Sequence, residues 1–137
     1  MNSYEEIIKA ISDEDFYATE EILDKITEDD GSIEYVDAIL RFMESNPNVD
    51  YGMPGPVVHY IERYFLQGYE QLLFESLTRK PIQHTLWMLN RILNSPKLED
   101  REKYLTLLSK IASDEFVDEA VRNDARKFMD YQNGKRL

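Results

Sequence analysis

The chain has 137 residues and a net charge of −11, with 27 acidic against 16 basic side chains and no cysteine. That length fits one domain with a single core. The missing cysteine excludes a disulfide framework, a thiolate nucleophile and a cysteine-based zinc site.

The charge is unevenly spread. Residues 1–50 hold 15 acidic and 3 basic side chains, and residues 51–137 hold 12 acidic and 13 basic. A negative field of this kind repels nucleic-acid phosphates and anionic membranes and attracts basic partners. The same charge also reads as a solubilising surface. The opening MNSYEEIIKA is acidic and has no apolar run, unlike a signal peptide. No apolar run approaches the roughly 20 residues that span a bilayer. The expectation is a cytoplasmic protein, monomeric, with neither nucleic acid nor membrane as a partner.

In chain order, Ser3 with Glu6 reads as a capping box opening a short helix that carries Ile7, Ile8 and Ile11. Ser12 then reads as the cap of a second helix, with Asp13, Glu14 and Asp15 suited to a helix N-terminus. Phe16, Thr19, Leu23 and Ile26 follow at helical spacing. Asp29-Asp30-Gly31 ends that helix, and Ser32 caps a third that buries Ile33, Val36, Leu40 and Met43. On its outer side Asp37 and Arg41 can pair at i, i+4. The stretch SNPNVDYGMPGP, residues 45–56, holds three prolines and two glycines and is a long loop.

Pro56 starts a fourth helix with Val57, Val58, Ile61, Tyr64 and Phe65 inside, and Gln67-Gly68 marks a turn. A fifth helix, Tyr69 to Thr78, buries Leu72, Leu73 and Leu77. The clearest element is PIQHTLWMLNRILN, residues 81–94. At about 100° per residue, Ile82, Leu86, Leu89 and Leu93 form an apolar spine. Thr85, Met88 and Ile92 widen it. Its other face carries Gln83, His84, Trp87, Asn90, Arg91 and Asn94, so the only tryptophan points away from the spine. Ser95 reads as the next cap, before a helix with Tyr104, Leu107, Leu108 and Ile111 as its core. Ser113 reads as the cap of the last long helix, Asp114 to about Tyr131, and residues 132–137 as a frayed tail.

Tyr69-x-x-Leu72-Leu73 recurs as Tyr104-x-x-Leu107-Leu108, a shift of 35. The shift also maps Ile82 onto Val117, Thr85 onto Ala120, Leu86 onto Val121 and Leu93 onto Phe128, but Leu89 onto Asp124. A period near 35–45 residues built from two helices is the signature of an α-solenoid. The fold expected is all-α. It is one domain over residues 1–137, a right-handed solenoid-like stack of about four antiparallel helix hairpins.

Glu119-Ala120-Val121-Arg122-Asn123-Asp124-Ala125 resembles the second helix of a HEAT-type repeat, where a Val-Arg-x-x-Ala run is common. Residues 87–95, with the Ile61-Glu62 helix before them, resemble the small all-helical immunity proteins of bacterial polymorphic-toxin and contact-dependent inhibition systems. The likeness covers roughly residues 57–130. It implies a cytoplasmic antidote that binds and occludes one toxin domain. The acidic first third and the loop before helix four have no counterpart in it.

No catalytic set emerges, so an enzyme is not expected, nor any metal or cofactor. His59 and Glu62 stand at i, i+3 and supply two ligands at most. An EF-hand register over Asp29-Asp30-Gly31 would place Ile26 at the first ligand position, where it cannot coordinate calcium. No phosphate-binding glycine loop occurs, and basic residues do not cluster with aromatics. What remains is binding. Asp29, Asp30, Glu34 and Asp37 form the candidate steering patch, and Trp87, Arg91 and Asn94 the candidate contact patch. Trp87 also reads as filler of the groove to the next hairpin, where the shift of 35 maps it onto Arg122. The function expected is inhibition of a cationic toxin domain, a nuclease for example. The alternative is a generic helical-repeat adaptor.

Overall fold

In the computed structural model, which describes residues 2–29 and 33–135, the periodic stretches become helices and no strand occurs among the described residues. The order is α1 (Ser3–Ser12), α2 (Phe16–Asp29), α3 (Glu34–Ser45), α4 (Gly55–Glu62), α5 (Tyr69–Arg79), α6 (Gln83–Leu93), α7 (Arg101–Ser113) and α8 (Glu119–Asp130). A π-helical turn, Tyr131–Lys135, follows. The fold is all-α.

Several helix starts differ from the sequence reading. Asn2, rather than Ser3, caps α1, its Oδ1 accepting the Glu5 N–H at 2.8 Å. Ser12 ends α1, and the cap of α2 is Asp15, which accepts the Ala18 N–H at 3.0 Å. Ser95 makes a local turn, accepting the Lys97 N–H at 3.2 Å, and α7 begins only after Asp100, whose φ is 55°. Ser113 closes α7, its hydroxyl reaching back to the Ser109 and Lys110 carbonyls. The physical reason is common to all four. Short polar side chains satisfy backbone groups equally well at caps, in turns and in last turns, so their presence marks a boundary without saying which side of it is helical. Ser32 lies outside the described residues.

The chain forms two compact units, Met1–Leu72 and Leu73–Leu137, with the division inside α5. In the first, α1 packs on α2 and α3, and α2 on α4. Ile7, Leu23, Val36, Ile39, Leu40, Met43, Val58 and Ile61 are buried in this unit. In the second, α7 packs on α6 and α8, and α6 on α8. All seven α6-face residues named from the sequence, from Ile82 to Leu93, are no more than 4 % exposed. The Gln83 amide ties α6 to α8 by donating to Asp124 at 2.9 Å.

The 35-residue shift is matched in burial at some positions only. Tyr69 and Tyr104, Leu73 and Leu108, and Leu86 and Val121 are buried pair by pair. Thr85 is buried while Ala120 is exposed.

The loop between α3 and α4 is ordered by its own contacts. Tyr51 is 2 % exposed, and its hydroxyl donates to the Asn46 carbonyl at 2.6 Å. The Asp50 N–H donates to Glu14 of the α1–α2 turn at 2.6 Å, and Gly52 N–H to Asp50 Oδ1 at 2.9 Å. Gly52 holds φ +89°, and a Cβ there would stand 2.6 Å from the Gly55 Cα. Gly52→Ala should therefore lower stability by about 1–3 kcal/mol in urea titration. Gly55→Ala should cost less, because at φ +76° a Cβ would meet nothing within 4 Å.

The tail expected to fray is tied at its start. The Gln132 amide donates to Asn90 Oδ1 at 2.7 Å and Asn94 Oδ1 at 2.9 Å, and accepts from Arg101 at 2.8 Å. Arg101 also donates to the Leu93 carbonyl, so one glutamine and one arginine join the end of α6 to the start of α7.

Candidate protein-binding surface

The unit boundary sharpens the charge division. Residues 1–72 hold 17 acidic and 4 basic side chains, net −13, and residues 73–137 hold 10 acidic and 12 basic, net +2. On α2 the carboxylates of Glu20, Glu21, Asp24, Glu28 and Asp29 are all exposed. This face is negative because α2 buries only Thr19, Leu23 and Ile26.

Of the steering patch, Asp29 closes α2 and Glu34 opens α3, and both are exposed. Asp37 is half-buried and accepts from Arg41 at 3.0 Å, as the spacing implied. Asp30 lies outside the described residues.

The aromatic part of this unit lies elsewhere than expected. Phe16 has helical spacing with Leu23, yet it is 39 % exposed and its neighbour Tyr17 is 73 % exposed. Both sit in the first turn of α2, directly after its Asp15 cap. They border a groove of about 460 Å³ between α2 and α4, walled also by Glu20, Gly55, Pro56 and His59. Just past α4, Arg63 bridges to α2, donating to Thr27 Oγ1 at 3.0 Å and Asp24 at 3.2 Å. Both partners of that ion pair are about half exposed, so it orients the side chains more than it stabilises the fold. Met53, 74 % exposed, lies on the loop that leads into the Gly55-Pro56 wall. The groove thus joins exposed apolar surface to carboxylates, a combination suited to a cationic protein surface with an apolar centre.

The contact patch named from α6 belongs to the second unit. Trp87 is half-buried, its ring 5.2 Å from the His84 ring and 5.1 Å from the Arg91 guanidinium carbon. Arg91 and Trp87 therefore meet as a cation–π pair. Asn94 is exposed and held by Gln132. A second groove, about 550 Å³, lies between α5 and α7. Neither groove was legible in the sequence.

Among the described residues no group of three or more His, Asp or Glu is placed to hold a metal ion. No helix there is long and apolar enough to cross a membrane. Comparison with family models, curated proteins and solved structures finds no match.

Proposed function

We propose that this protein works by binding alone, as a cytoplasmic immunity protein. Its acidic unit covers a cationic toxin domain, such as a nuclease, and occludes it without chemistry. One observation carries the reading: a net charge of −13 in one compact unit that also carries a groove edged by the exposed Phe16 and Tyr17. Enzymes that act on nucleic acid are cationic because they neutralise phosphates, so an acidic face speeds their capture. Aromatic side chains beside that face supply area at low entropic cost. We place the aromatic contact at Phe16 and Tyr17 because Trp87 already contacts His84 and Arg91. The HEAT-like stacking of hairpins belongs to the same reading and rests on the matched burial of Tyr69 with Tyr104 and Leu73 with Leu108.

The reading requires an adjoining gene whose product ends in a cationic toxic domain. Expression of that domain alone should arrest growth, and co-expression of this protein should restore it. Growth arrest that co-expression leaves unchanged would refute the proposal. With the purified pair, Tyr17→Ala should raise the dissociation rate about tenfold, the scale of one interface anchor. The far-ultraviolet circular dichroism should stay as in the wild type, since Tyr17 is 73 % exposed.

A further inference from the structure

The second unit carries an unfilled apolar groove and, beside it, an apolar side chain with nowhere to go. The groove, about 550 Å³, is lined by Phe74 and Leu77 of α5, Leu107 and Ile111 of α7, Pro81 and Val117, with the Lys103 ammonium 4.5 Å over the Phe74 ring. Phe74 and Tyr104 fix its aromatic side in an edge-to-face contact at 6.0 Å. Asp114 and Val117, the two ends of the turn after α7, both line it. That turn is closed by two hydrogen bonds: Val117 N–H donates to the Asp114 carbonyl at 3.1 Å, and Phe116 N–H to Asp114 Oδ1 at 2.9 Å. Phe116 stands at its corner, 91 % exposed. A single exposed apolar side chain is ordinary, but an exposed ring beside an apolar groove marks a contact surface.

We propose that a second copy of this chain covers the groove, with Phe116 of each copy inserted into the groove of the other. A two-fold interface is self-complementary, so a projection and its receptacle must lie side by side on one surface. Phe116 and the groove meet that condition through a single four-residue turn. The charges allow it as well. The rim carries Lys103 and Lys110 together with Glu102 and Asp114, and a rim of both signs can pair with itself where a rim of one sign cannot. The unit as a whole is nearly neutral, at +2, whereas the acidic unit at −13 would repel its own copy. The inference concerns residues 73–137 and stands apart from the immunity reading.

Sedimentation equilibrium on the full chain tests it, with two variants at exposed positions, Phe116→Asp and Thr106→Trp. The first removes the projection, and the second fills the groove from its α7 wall. The wild type should show a concentration-dependent monomer–dimer equilibrium. Each variant alone should weaken it by roughly a thousandfold, because the two-fold axis removes two interface anchors worth about thirtyfold each. Mixed together they should associate more tightly than either alone, because Phe116 of the Thr106→Trp chain finds the open groove of the Phe116→Asp chain. A wild type that stays monomeric, leaving the groove to some other amphipathic helix, overturns the proposal. So does a dimer indifferent to both substitutions, or a mixture no tighter than its parts.

Discussion

Tyr51→Ala should lower the unfolding free energy by about 3–5 kcal/mol, the usual cost of emptying a buried aromatic site. Domains of this kind have only about 5–15 kcal/mol in total, so the loss is a large share of the whole. The loss is large because Tyr51 does two jobs in a loop with no helix of its own. Its ring is 2 % exposed, and its hydroxyl closes the loop on the Asn46 carbonyl at 2.6 Å. Tyr51→Phe keeps the ring and removes the hydrogen bond, so it should cost about 1 kcal/mol. The pair of variants separates packing from polarity in one denaturant series.

The same residue gives a pH dependence of definite sign. Burial pushes the Tyr51 phenol above its ordinary value of 10.0. Below that value both folded and unfolded chains keep the proton, and the stability is fully present. Above it the unfolded chain loses the proton while the native state retains it. The unfolded state then binds fewer protons, so stability falls as pH rises toward the folded value, by about 1.4 kcal/mol per pH unit for this one group. Tyr51→Phe should remove that part of the alkaline slope. An unchanged slope between the two proteins would show that Tyr51 ionises freely.

What the sequence disclosed follows from where periodicity reaches. The apolar face of α6 was legible, because helical positions repeat it and every member, from Ile82 to Leu93, is buried, although the helix runs from Gln83 to Leu93 and not from 81 to 94. Tyr51 was invisible because a lone aromatic among prolines and glycines has no period to place it inside. Phe16 misled in the opposite way: its spacing matches Leu23, but spacing says which side a residue faces and not whether the first turn is covered. The division at Leu72 and Leu73 falls within a helix, with no glycine or proline to mark it. Charge asymmetry, by contrast, needs no geometry. It was readable from counts, and the structure only moved its border from residue 50 to residue 72.

That asymmetry supports the second large prediction, a loss of association rate on charge reversal. Asp29→Lys with Glu34→Lys should slow capture of the cationic toxin domain about tenfold at low salt, with a much smaller change in dissociation rate. The difference should shrink as salt rises, since the screening length falls to about 8 Å at physiological ionic strength. Both residues are exposed and their helix-end effects oppose each other. A lysine at the end of α2 suits the helix dipole, and one at the start of α3 offends it, so the fold should change little. Asp37 is left alone because it holds Arg41 at 3.0 Å, and a lysine there would set like charges one turn apart. The control reverses Glu99 and Glu115, equally exposed but in the other unit. It shifts the net charge by the same amount, so steering by local field predicts a weaker effect there. Equal slowing by both pairs would mean that total charge alone sets the encounter, and Asp29 and Glu34 would lose their place in the contact.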